Sequence, residues 1–125
     1  MYSLRKNSPE VLICEGACVV GDVTLGRGVS VWYNAVIRGD KGPITIGDNV
    51  LVGMGAVVLD GARIANDCLV GAGALVTGKM DAPAGSMILG SPAKVVRPLT
   101  AEEIEGIRES RDEYLELARL CREAK

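Results

Sequence analysis

The side chains of this sequence that could act on a substrate are few. Arg38 and Asp40, in the phrase IRGD, stand two residues apart, so on an extended segment both leave the same face with opposite charges. Carboxylates such as Asp40 and Asp60 are the kind of group that takes a proton from an acceptor hydroxyl or amine. The remaining candidates are four cysteines, Cys14, Cys18, Cys68 and Cys121. Cys14 and Cys18 have no second pair, and the chain contains no histidine to complete four ligands, so no zinc motif is formed. The cysteines read as reduced packing residues.

What must position these groups is a repeat. Branched aliphatics recur every six residues at Ile13, Val19, Leu25, Val31 and Ile37, and after a slip of three at Ile46, Val52, Val58, Ile64, Val70 and Val76. Four residues after these aliphatics comes a small or β-branched residue, in order Ala17, Val23, Val29 and Ala35, later Val50, Ala56, Ala62, Cys68 and Ala74, with Lys41, beside the slip, breaking the series. A period of six fits neither an amphipathic helix nor a hairpin sandwich. It suits a triangular prism in which each flat face consumes one hexad and each aliphatic stacks on its equivalent in the next coil. Eleven hexads at three per coil predict an all-β solenoid, a left-handed parallel β-helix of about four coils. Sixteen glycines, with no phenylalanine and no histidine, agree with a bore too narrow for large rings. The glycines at the second hexad position (Gly26, Gly47, Gly53, Gly71, with Gly21 as a variant) and in GRG, GMG and GAG are expected to permit turn conformations.

The triplet KGP, residues 41–43, accounts for the slip and predicts a small loop bulging from a corner, with the phase restored at Ile44 and Ile46. After Val76 the repeat loosens through a stretch rich in proline and glycine, read as a final partial coil and an exit. Thr100 with Glu103 makes a capping box, and Ile104, Ile107, Tyr114, Leu117, Ala118 and Cys121 share one face of the helix that follows. The expected organisation is an N-terminal segment over 1–12, the β-helix over 13–97 and a C-terminal α-helix over 100–123, packed alongside the prism.

With 48% hydrophobic residues and a formal net charge of −2 over 125 residues, the chain describes one compact domain. It lacks the basic excess that a nucleic-acid partner requires. No apolar run reaches membrane-spanning length, and the stretch MYSLRKNSPEVL is not a secretory leader, so a cytoplasmic location is expected.

The phrases VWYNAVIRGDKGPITIG, LVGMGAVVLDGARI, VGAGALVTGK and GSPAKVVRPLTAEEI, which between them cover most of the chain, resemble the γ-class carbonic anhydrase-like proteins of the hexapeptide-repeat superfamily. GSPAK alone is shared with the superfamily's acyltransferases. The resemblance implies a zinc-dependent hydratase that assembles as a trimer. It also implies about two further coils between the segments like ITIGD and LVGMGA, which a solenoid can lose because each repeat contacts only its neighbours. The zinc-binding histidines of the family lie in those coils, so no metal ligand carries over and no cofactor is expected. Asp40, Asp60, Asp67 and Cys68 are conceivable substitutes, but the aspartates are spread over different hexads and Cys68 occupies an inward slot. By the same resemblance, Arg38 and Asp40 match an ion pair near the subunit interface, and Trp32 and Asn34 belong to the matching VWYNAV pattern. Trp32 is read as filling a contact between subunits or under the helix.

The expectation is therefore a γ-carbonic anhydrase-like homotrimer, non-catalytic, with a structural, scaffold or small-anion-binding role at the subunit interface. The alternative is an enzyme of the superfamily, carbonate dehydratase-like or acyltransferase-like, that works without histidine.

Overall fold

The computed structural model describes residues 11–124, with the side chains of residues 11–117. Residues 1–10, on which the reading of the N-terminal segment rests, and the side chains of Ala118 and Cys121 lie outside the described residues. The chain winds into a parallel β-solenoid of about four turns followed by a single helix, Ala101–Ala124. The first face stacks Leu12–Ile13, Ser30–Val31, Leu51–Val52, Leu69–Val70 and Ser86–Gly90, each parallel to the next. On the second face, Ile37 lies between Val19 and Val58, and Val58 pairs with Val76. On the third, Ile46 lies between Leu25 and Ile64, and Ile64 pairs with Ala82.

The six-residue step therefore becomes three ladders. The inward aliphatics from Val19 to Val76 are at most 3% exposed, and so are the small residues that follow them from Val23 to Ala74, which lets each corner close over the bore. The repeat also runs further than expected. Ala82 and Ile88, each six residues on, are buried at 2% and 0% and complete the fourth turn despite the intervening prolines and glycines. A hairpin of Ser86–Gly90 with Ala93–Pro98 then closes this end of the stack.

The slip is not a loop standing off a corner. Cys18–Leu25 and Val36–Ile46 run as continuous strands across two faces, paired up to Gly21↔Gly39 and again from Val23↔Ile44. Three extra residues are absorbed there as a bulge, and both Ile44 and Ile46 return to the core. Gly21, at φ +85°, is required at that crossing, because a Cβ there would lie 2.6 Å from the Gly39 carbonyl.

The other two corners turn on a left-handed residue in every coil: Gly16, Asn34, Gly55 and Gly73 at one, Gly28, Asn49, Asp67 and Gly85 at the other. The second-position glycines, Gly21 apart, are not the turn-makers that the repeat suggested. Gly53, for example, has an ordinary φ and is needed because a Cβ would sit 2.8 Å from the backbone of the next coil.

The helix begins on the expected capping box. The Glu103 N–H donates to Thr100 Oγ1 at 3.1 Å, and the Thr100 N–H donates to Glu103 Oε1 at 2.9 Å. Arg97 grips the same carboxylate with two N–H donors at 2.8 and 2.7 Å. The helix packs on its own prism: Ile107 is 1% exposed, and Asn49 Nδ2 reaches the Ile104 carbonyl at 3.4 Å.

Truncating Ile37→Ala, at the middle of the second face, is expected to lower unfolding stability by about 2–5 kcal/mol in chemical denaturation, since rung neighbours on both sides cannot collapse into the gap. A second expectation concerns acid. Arg97 first, and the Thr100 N–H second, hold the Glu103 carboxyl at about 2 instead of the usual 4.5. A carboxyl depressed by folding stabilises fully above 4.5 and loses that contribution as pH falls towards 2. Thermal melts of Glu103→Gln should therefore lie below those of the parent at neutral pH and converge with them in that acid window.

Candidate functional site

Arg38 and Asp40 lie on the strand Val36–Ile46, where the chain passes from the second face into the bulge. Alternation sends Ile37 and Gly39 to the buried side and leaves Arg38 and Asp40 exposed. They pair with each other, Arg38 Nη2 donating to Asp40 Oδ2 at 2.9 Å, with side chains 52% and 43% exposed. The guanidinium beside it holds the Asp40 carboxyl below its usual range, and the Asp40 carboxylate raises Arg38 in turn. Asp60 joins from the next coil, accepting the Lys41 N–H at 3.1 Å. The result is an ion pair on an open surface, with the Asp60 carboxylate close enough to raise Arg38 further. Asp40 is thereby a weak general base, since its proton affinity moves away from neutrality.

The other singled-out residues go elsewhere. Asn34 is exposed and turns a corner at φ +63°, a position that glycine fills in the coils on either side. Trp32 lies under the helix. Its ring centroid is 5.2 Å from that of Tyr114, and its Nε1–H donates to Ser30 Oγ at 3.0 Å. Tyr33 meets Tyr114 edge-on with ring centroids 5.8 Å apart, and the two hydroxyls are hydrogen-bonded. That bond, with burial second, pushes Tyr33 up to about 12.

The conceivable substitute ligands do not converge. Asp67 turns a corner at φ +60° and accepts the Asn49 amide at 2.9 Å. Cys68 is fully buried, donates to the Pro83 carbonyl at 3.3 Å and is raised by burial, which makes it an inert thiol. Cys14 is likewise buried and raised. No group of three His, Cys, Asp or Glu side chains that could hold a metal ion occurs among the described residues. A hydratase zinc needs neutral imidazoles and an open position, and the chain has no histidine, so the residues present do not fit that ion.

Two tertiary partners were not recognised from the sequence. Arg111, on the polar side of the helix pattern, is only 9% exposed and donates to the Gly28 carbonyl at 2.8 Å. Asn49 ties its corner to Asp67 in the next coil and to the helix. A signal for the corners was present. Each left-handed residue immediately precedes one of the inward small residues, as Asn34 precedes Ala35 and Asn49 precedes Val50.

Repeat, ladders and corners together define a hexapeptide-repeat parallel β-solenoid, and the family described as bacterial transferase hexapeptide (six repeats) matches residues 43–78. A Methanocaldococcus jannaschii protein described as "Probable carbonic anhydrase" is 40% identical, over 89% of this chain and 94% of that protein. An Arabidopsis thaliana protein, "Gamma carbonic anhydrase 2, mitochondrial", is 33% identical over 89% of this chain, which spans only 56% of that relative. Among solved structures, a hexapeptide transferase family protein from Anaplasma phagocytophilum superposes with a TM-score of 0.62 at 28% identity, covering 94% of this chain and 90% of that one. The chain belongs to the γ-carbonic anhydrase-like family of the hexapeptide-repeat superfamily. The alignment with the archaeal relative runs over 151 positions, more than the 125 residues of this chain, so that relative carries residues with no counterpart here.

Trp32 is the chain's single tryptophan and reports on helix docking. Tyr114→Ala should shift Trp32 fluorescence to longer wavelength and speed proteolysis within the helix, while the β-sheet circular dichroism of the solenoid persists.

Proposed function

We propose that the protein is a non-catalytic member of its family, a cytoplasmic homotrimer that serves as a scaffold or small-anion-binding module. The observation that carries this reading is the donor set. With no imidazole anywhere in the chain, nothing brings a bound water to ionisation near neutral pH. What remains of the family's polar vocabulary is the exposed Arg38–Asp40 pair, whose guanidinium is suited to orient a small anion at a subunit boundary. Trimer formation is supported by the outward side of the second face. Cys18, Val36, Val57 and Leu75 stack there in register, all half-buried, whereas the outward line of the third face is Thr24, Thr45, Arg63 and Asp81. An apolar face of this kind is buried when copies close a ring.

Purified protein loaded with zinc is expected to retain far less than one equivalent in metal analysis and to hydrate CO2 no faster than buffer. Stoichiometric zinc with hydration well above buffer would overturn the reading. Val57→Asp, at the centre of the apolar line, is expected to convert the trimer to monomer in light scattering. An unchanged mass would remove that face from the interface.

The second reading, acyl transfer with a carboxylate base, draws on the similarity to the Anaplasma transferase-family protein. It predicts saturable binding of coenzyme A derivatives and loss of turnover in Asp40→Asn or Asp60→Asn. The depressed Asp40 carboxyl argues against that residue as the base.

A further inference from the structure

The second face is apolar on both sides. Its inward residues fill the bore, and outward stand Cys18, Val20, Val36, Val57, Leu59 and Leu75, spread over four successive coils and all half-buried. Arg38 is the one charged side chain among these outward positions. We infer that this face seats a corner of a neighbouring copy, the corner between that copy's first and second faces, with Met54 filling the contact. The inference rests on the trimer reading above and adds which surface of the neighbour the second face meets.

A threefold ring is closed by two different patches on each chain, one meeting the other on the next copy. For all four coils to share the contact, the prism axes must run parallel to the threefold axis. Successive copies are then turned by about 120° and the meeting surfaces face opposite ways, so the two patches on one chain must point about 60° apart. Two flat faces of a triangular prism point about 120° apart and cannot form the pair, whereas a face and either of its corners satisfy the angle. The second face has two such corners. The one towards the third face carries Asp40, Lys41, Asp60 and Lys79. Pressing those charges onto Val36 and Val57 would desolvate them without offering a partner. The corner towards the first face turns on Gly16, Asn34, Gly55 and Gly73. From the second coil to the fourth its exposed residues are Asn34, Met54, Gly55, Ala72 and Gly73, none of them charged.

Met54 stands 56% exposed in the third coil of that corner. A flexible thioether fills irregular gaps, and surfaces where copies meet are enriched in methionine and depleted of lysine, aspartate and glutamate. The space in front of the corner is open within one chain, since a Cβ built on Gly55 or Gly73 would meet no atom within 4 Å. Rotation about a parallel axis preserves height, so each coil meets the same coil of its neighbour. Met54 comes opposite Val57 and Leu59, and Asn34 of the partner subunit comes to the level of Val36 and Arg38. Asn34 and the Arg38–Asp40 pair occupy separate corners of one chain. The ring brings them to one boundary.

Two experiments on the full chain test this. Met54→Asp is expected to change the mass in light scattering from trimer to monomer with an unaltered circular dichroism spectrum, because the side chain is exposed in a single copy and the fold does not lean on it. Chains carrying Met54→Cys, co-expressed with chains carrying Leu59→Cys and mildly oxidised, are expected to give a reducible covalent dimer that neither chain gives alone. A trimeric parent that stays trimeric as Met54→Asp, or that yields no mixed disulfide, would overturn this corner and leave the trimer reading standing. A monomeric parent would overturn both. A covalent dimer from Leu59→Cys chains alone, with a dimeric mass, would mean two-fold pairing of second faces and would also overturn the inference.

Discussion

The bore of the prism admits one branched aliphatic per face per turn, and almost everything else in the molecule follows from that limit. Ile37 has a neighbour above and below at hydrogen-bonded strand spacing, so each rung is packed along the stack as well as across it. Interiors this dense leave no slack for a ring, which is why phenylalanine is absent and why the residue closing each corner is small. The corners pay for this tightness with left-handed residues, supplied by glycine in most coils and by Asn34, Asn49 and Asp67 in the others.

Because each turn contacts only adjacent turns, the stack can differ in length from its relatives without losing register. Chemistry is less forgiving than packing. An ion pair formed within one strand, such as Arg38 with Asp40, does not depend on how many coils the stack has.

The helix converts an open prism edge into a second layer. Arg97 and Thr100 fix where it starts, Ile107 and Tyr114 bury its inner side, and Arg111 bridges it to the Gly28 carbonyl. Burying an arginine costs free energy unless its donors are met, and here the Gly28 carbonyl, Asn49 and Asp112 share that task. The same arrangement leaves a groove between the helix and the corner.

The architecture was legible because a period of six is a local property: Val52, Val58 and Ile64 announce three faces whatever surrounds them. Legibility faded where local signals conflicted. Ala82 and Ile88 keep the step, but Pro83 and the neighbouring glycines hide it, and KGP resembles a loop although the strand ladder continues on both sides. Asn34 belongs to the matching family phrase, and its left-handed backbone angle, which the phrase does not announce, makes it a corner residue as well. By itself the sequence determined the ladder, the capping box and the lack of imidazole ligands, since these depend on residue type and spacing alone. Only the tertiary structure decided that Trp32 lies under the helix and that Arg111 meets Gly28, because those contacts join residues about eighty positions apart, and their pairing is set by how the helix runs back along the stacked coils.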